Sequence, residues 1–94
     1  MTYPYKRKEI ELAIAYKGRL RLLAELLKAD MPLTKYFLIK KTGLKPLDVN
    51  KAIKIFTNLG WLIEVPCSPK KYMLNQECQE LNLLKAFLKA VKYI

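Results

Sequence analysis

The sequence predicts a mostly α-helical domain with one small β-hairpin, and three observations predict it. Apolar residues recur at helical spacing from about Lys6 to Leu27, over 46–59 and again after Asn75, but alternate singly only over 61–65. Helix-stop residues stand between these segments: Asp30-Met31-Pro32, Thr42-Gly43-Leu44 and Gly60. A tip of Pro66-Cys67-Ser68-Pro69 separates 61–65 from a second strand-like run at 71–74. Helix, short turn, helix and hairpin thus follow one another over 33–74, the order of parts in a winged helix–turn–helix.

The first helix is expected to start near Lys6, since 1–5 are short and interrupted by Pro4. Leu12, Tyr16, Leu20, Leu23 and Leu27 form one stripe whose phase survives Gly18, so the pattern predicts a single helix through that glycine. Glycine costs about 1 kcal/mol against alanine in a helix interior, and a division into two helices stays open. Pro32 disfavours helix at the residue before it and ends the segment.

Thr34 is placed to cap the next helix, with Leu38 and Ile39 inward and Leu33 and Leu44 packing at its ends. Gly43 can adopt positive φ at the helix C-terminus, and Pro46 opens the following helix where its missing N–H costs nothing. On a wheel, Val49, Ala52, Ile53, Phe56 and Leu59 fall on one side of 46–59. Leu47, Asn50, Lys51, Lys54 and Asn58 fall on the other, with Thr57 at the border. One side is built for a core and the other is cationic and amide-bearing.

Trp61, Ile63 and Val65 alternate with Leu62 and Glu64 as a half-buried strand, with Trp61 as core under the hairpin. Asn75 is expected to cap a final helix over 76–93. Leu81, Leu84, Leu88 and Val91 form one apolar seam on it, and Leu83, Phe87 and Ile94 a second. The combined arc of about 160° exceeds the roughly 100° that docking on one core requires. Either the helix wedges deeply into its own domain or, the favoured reading, a second subunit packs against Leu81, Leu84, Phe87, Leu88 and Val91, with Leu12 and Tyr16 of the first helix beside them. Lys85, Lys89 and Lys92 read as a solvated face.

Composition narrows function. Ninety-four residues make one domain, 1–94, of a size that benefits from oligomerisation. Eighteen Lys and Arg against eight Asp and Glu leave a formal charge of +10, which points to nucleic acid or an anionic membrane surface, with plain solubility charge as the alternative. Between Thr34 and Lys71, eight lysines oppose two acids. With no histidine, the commonest general base and metal ligand are missing, and three scattered glycines make no phosphate-cradling loop. No enzyme, metal or cofactor is expected. Two cysteines without CxxC spacing read as reduced thiols of a cytoplasmic chain, associated with nucleoid or plasmid. No apolar run approaches the roughly 20 residues of a membrane span, and no signal-peptide pattern is visible.

Candidate DNA contacts follow from chemistry. Lys45, Lys51 and Lys54 can grip phosphates or, for the latter two, a guanine edge. Asn50 can pair an adenine edge, Leu47 can meet a thymine methyl, and Asn58 shares their face. Thr34, Lys35 and Tyr36 open a helix whose free N–H groups suit phosphate. Ser68, Lys70 and Lys71 serve the hairpin tip. Lys6-Arg7-Lys8 with Tyr3 and Tyr5 is a basic arm or a frayed end.

Across 20–75, the run Leu33-Thr34…Leu38-Ile39…Thr42-Gly43-Leu44…Val49-Asn50-Lys51-Ala52…Leu59-Gly60-Trp61-Leu62-Ile63 resembles prokaryotic winged helix–turn–helix regulators of the MarR and PadR type. The composition and helical tail are also similar to small archaeal DNA-binding proteins, among them the site-binding component of archaeal plasmid partition systems. The resemblance implies a homodimer with 33–60 as helix–turn–helix, 61–74 as wing and 76–93 as dimerisation helix. It implies sequence-selective duplex binding with 46–59 in the major groove, as a transcriptional regulator or as a partition-site binder that spreads along DNA and recruits a second protein. The alternative is a winged helix that holds another protein without reading DNA. RNA binding is weaker still, because no aromatic stacking platform is evident.

Overall fold

A computed structural model describes residues 7–94. Five helices and three short strands follow in the order α1 (Arg7–Ala13), α2 (Lys17–Lys28), β1 (Leu33–Thr34), α3 (Lys35–Thr42), α4 (Pro46–Asn58), β2 (Leu62–Val65), β3 (Lys71–Leu74) and α5 (Gln79–Ala90). Helices α2, α3 and α4 enclose the core, β2 and β3 form the wing, and α5 returns along α2. This is the winged helix–turn–helix that the order of turn signals predicts.

The first helix is not continuous, and it does not break at Gly18. Ile14 N–H still reaches the Ile10 carbonyl at 3.3 Å, but Tyr16 is extended and a new helix begins at Lys17. The bend lets α1 lie against α4 and bury Ala13, while α2 turns Leu22, Leu23, Leu26 and Leu27 into the core. A straight helix would keep Leu12 and Tyr16 in line with Leu23 and Leu27; here both are exposed. Gly18 instead serves close approach: a Cβ there would lie 2.7 Å from Leu44 Cδ2. The first turn of α2 is thereby held against the turn between α3 and α4.

That turn is built by Thr42 and Gly43. The buried Thr42 hydroxyl donates to the Leu38 carbonyl at 2.7 Å and accepts from Leu44 N–H at 3.3 Å. Gly43 sits at φ 72°, and its N–H closes the helix onto the Ile39 carbonyl at 2.9 Å. Left-handed backbone costs an L-residue with a Cβ about 1–2 kcal/mol. Gly43→Ala is therefore expected to lower unfolding free energy by about that amount, with Gly43→Asn losing less. Urea titration checks this through a shifted midpoint at unchanged slope. An unshifted midpoint would show that the turn relaxes without strain.

At the other end of α3, Thr34 accepts from Phe37 N–H at 3.1 Å, the capping bond its side chain is suited to make. Thr34 also belongs to β1, a two-residue strand that sequence periodicity is too short to reveal. β1 adds to the hairpin, giving an antiparallel sheet in the order β1-β3-β2. Leu33 faces Tyr72, Thr34 faces Lys71, and Leu62 faces Leu74.

The register corrects the expected phase of the wing. Leu62, Tyr72 and Leu74 are buried, whereas Ile63 is exposed and Val65 only half-buried. Trp61 is buried as expected, but in the turn ahead of β2, its ring stacked 6.2 Å from that of Phe56. Because Trp61 precedes the strand, its direction does not set the strand's alternation.

Asn75 does not cap α5, which starts at Gln79 behind Cys78. Its Oδ1 accepts from Glu77 N–H at 3.0 Å, and its Nδ2 donates to the Gly60 carbonyl at 3.2 Å. Asn75 thus ties the exit of β3 to the turn after α4. The helix stops at Ala90, short of the expected 93, because Tyr93 N–H turns back to the Leu88 carbonyl at 2.7 Å and Lys92 takes φ 61°.

Candidate nucleic-acid interface

The two sides of α4 separate as their residue types require. Val49, Ala52, Ile53 and Phe56 are buried against α2, α3 and β2, with Leu59 buried at the helix end. Leu47, Asn50, Lys51, Lys54 and Asn58 are all exposed, Leu47 at 65%. Lys45 stands at the N-cap position and is also exposed. Lys45, Lys51 and Lys54 take no acid partner among the described residues. An exposed leucine among cations without acid partners is an arrangement that can meet a base edge flanked by phosphates. Thr57 contributes less, because its hydroxyl donates to the Ile53 carbonyl of its own helix at 2.7 Å.

The start of α3 supplies a second group. Lys35 is half-buried in the first turn, and Tyr36 projects at 72% exposure with Lys40 Nζ 6.0 Å from its ring centre. Lys41 stands similarly 5.7 Å from the Phe37 ring. Lys71 joins these residues while flanking the wing tip, because the strand register sets it between Val65 of β2 and Thr34 of β1. The three-stranded sheet thus brings Thr34, Lys35 and Lys71 together.

The wing tip is shorter on charge than its sequence suggests. Ser68 and Lys70 are exposed, but Lys70 Nζ lies 3.8 Å from Glu64 Oε1 across the hairpin. Cys67 closes the tip by its N–H to the Val65 carbonyl, at 2.9 Å. Cys67 and Cys78 form no disulfide. Of the basic arm, Tyr3, Tyr5 and Lys6 lie outside the described residues, while Arg7 and Lys8 open α1 on its exposed side.

The residues expected at a subunit interface divide. Leu81 and Leu88 are buried in the protomer's own core, and Leu84 is half-buried against it. What α5 leaves outside is Leu83 and Phe87 of the second stripe with Val91 of the first, at 65%, 59% and 55% exposure and with Ala86 and Ala90 between them, whereas Ile94 is half-buried against the core. Lys85 and Lys89 stand to one side of that face, and Glu80, one turn before Leu83, borders its N-terminal end. Leu12 and Tyr16 lie on the α4 side instead, because α1 packs on α4. Among the described residues no helix is long and apolar enough to cross a membrane, and no group of His, Cys, Asp and Glu could hold a metal ion.

No protein-family model matches the chain, and no curated protein matches it in sequence. Solved structures do match in shape. A predicted DNA-binding transcriptional regulator from E. coli superposes with a TM-score of 0.70 at 21% identity, over 89% of this chain and 86% of that one. The homodimeric winged helix–turn–helix DNA-binding domain of an ArsR-type regulator candidate from Mycobacterium bovis gives 0.69 at 17% identity, over 98% and 90%. A protein of the thermoacidophilic archaeon Sulfolobus tokodaii gives 0.63 at 16%, over 95% of each chain. At these identities the likeness is one of fold, and the chain has the winged helix–turn–helix fold that those proteins share.

Proposed function

We propose that the protein is a sequence-selective duplex-DNA-binding homodimer that acts as a transcriptional regulator, with α4 in the major groove. The observation that carries this reading is the outer face of α4, where Leu47, Asn50, Lys51, Lys54 and Asn58 are exposed together on a helix anchored by its opposite side. Lysines there and at the start of α3 would hold phosphates, and Asn50 and Leu47 would meet base edges. No arginine stands on α4, so the commonest bidentate reading of guanine is missing from it. Selectivity then rests on Asn50, on Leu47 and on the ease with which a site deforms.

The exposed apolar face of α5 supports a twofold dimer, as does the homodimeric state of the Mycobacterium bovis domain. Two copies would offer two α4 helices to half-sites about 34–36 Å apart, within reach of protomers 40 Å long. A partition-site binder has the same chemistry, and differs in spreading from its first site and in recruiting a second protein.

The test is selection of the purified protein against a randomised duplex pool at near-physiological salt, followed by sequencing. The expected result is an enriched inverted repeat, with footprints confined to it for a regulator and spreading outward for a partition factor. Retention without enrichment would overturn sequence selectivity. No retention at all would overturn DNA binding and favour a protein-holding winged helix, for which the exposed Leu47 is the best contact.

A further inference from the structure

The chain has three arginines, Arg7, Arg19 and Arg21, and all precede the helix–turn–helix. The bend between α1 and α2, which the stripe of Leu12 and Tyr16 conceals, brings one of them to the flank of α4. Arg19 lies in the first turn of α2, half-buried. Its guanidinium carbon stands 4.9 Å from the centre of the Tyr16 ring, and its Nη1 donates to the Leu12 carbonyl. A guanidinium offers five N–H donors. The carbonyl uses part of that capacity, and no acid or other acceptor takes the rest among the described residues.

Arg19 opens onto a cleft of about 430 Å³ between the first turn of α2 and the N-terminal half of α4. Lys51 lines the same cleft and also belongs to the outer face of α4. Gly18 and Leu44 line it too, the Leu44 Cδ2 methyl occupying the space a side chain at 18 would need. Asp48 lines the cleft as well, unpaired with either cation, so the wall carries a net single positive charge.

We infer that Arg19 is a preset phosphate clamp, taking a backbone phosphate of the duplex jointly with Lys51 at the flank of the recognition helix. The inference rests on the DNA-binding reading above and adds a residue outside the helix–turn–helix to it. An arginine differs from the lysines of α4 in holding a phosphate with two parallel hydrogen bonds. Its side-chain freedom is already spent on Tyr16 and Leu12 in the free protein, so little ordering remains for binding to require. Such a contact fixes the register of α4 in the groove and carries no sequence information. A staple for the α1–α2 corner would need only the Leu12 and Tyr16 contacts, and would gain nothing from donors left open beside Lys51.

The experiment is duplex binding as a function of salt for the wild type, Arg19→Gln, Arg19→Lys, Asp48→Asn and the Lys51→Ala/Lys54→Ala double variant. Probes are the selected duplex and a scrambled one of equal length. Arg19→Gln is expected to weaken both about tenfold and to flatten log K against log salt by about one unit, the signature of one lost phosphate contact. Arg19→Lys should keep the slope and recover only part of the affinity. Asp48→Asn should tighten binding to both duplexes. Arg19→Gln at wild-type affinity and slope overturns the clamp, and so does a lowered melting temperature with the slope unchanged in Arg19→Gln and wild-type affinity in Arg19→Lys. Wild-type binding that is absent or indifferent to salt sinks the DNA reading itself. A steep wild-type slope, lost in the double lysine variant but kept in Arg19→Gln, sinks the clamp alone.

Discussion

Phe87→Glu is expected to yield a folded monomer that has lost most of its affinity for a two-half-site duplex. The exposed side of α5 presents Leu83, Ala86, Phe87, Ala90 and Val91, and Phe87 is its largest member. Large residues set one or more turns apart, with alanines between, are the surface a second helix packs against. In a twofold interface each substitution occurs twice, so two carboxylates would enter an apolar contact and face or closely approach their mates. The protomer should not suffer, because Leu81 and Leu88 do the packing against its own core. Sedimentation should show the wild type as a dimer at micromolar concentration and the variant as a monomer, with matching circular dichroism. Losing the second recognition helix removes a tethered contact, which is worth about 10²–10⁴ in avidity. A variant that stays dimeric would move the interface off α5, and a wild type that never dimerises would remove the proposed assembly.

The exposed apolar face of α5 shows where sequence reading reaches and where it stops. The turn Thr42-Gly43-Leu44, the start at Pro46 and both faces of α4 are legible because each depends on local chemistry: a positive φ, a missing N–H, a 100° step. The surplus of apolar residues on α5 is legible as well. Which of its two stripes docks inward is not, because Leu81 with Leu88 and Leu83 with Phe87 are alike large and apolar. Only the position of α2 decides between them. Likewise, Leu12 and Tyr16 keep helical phase with Leu23, yet the chain bends between them because Ala13 packs on α4, a contact distant in sequence. Arg19 is hidden for the same reason: nothing near it in sequence says that it will stand beside Lys51. That Lys71, beside the wing tip, also faces the start of α3 is set by a two-residue strand too short to have a period.

Phe56→Ala is expected to remove about 3–5 kcal/mol of unfolding free energy, the cost of emptying a phenylalanine site in a packed core. Phe56 is fully buried on the inner side of α4 and stacks on Trp61 at the entry to the wing. It therefore joins α4, the core and the entry to the sheet at one point. A domain of this size has about 5–14 kcal/mol in total, so the variant should be marginal near body temperature and folded in the cold. Phe56→Leu keeps most of the volume and should cost under about 1.5 kcal/mol. Urea midpoints check both, and equal midpoints for the two variants would deny that the site is tightly packed. The same pair separates anchoring from contact on α4. Phe56 lies opposite the exposed lysines, so it has no phosphate to hold. Under conditions where Phe56→Ala is folded, duplex affinity should fall while the salt slope keeps its wild-type value, because every cation remains and only the rigidity of its support is reduced. A flattened slope would mean that the lysines have left the groove, and that the packing beneath α4 sets which phosphates the helix can reach.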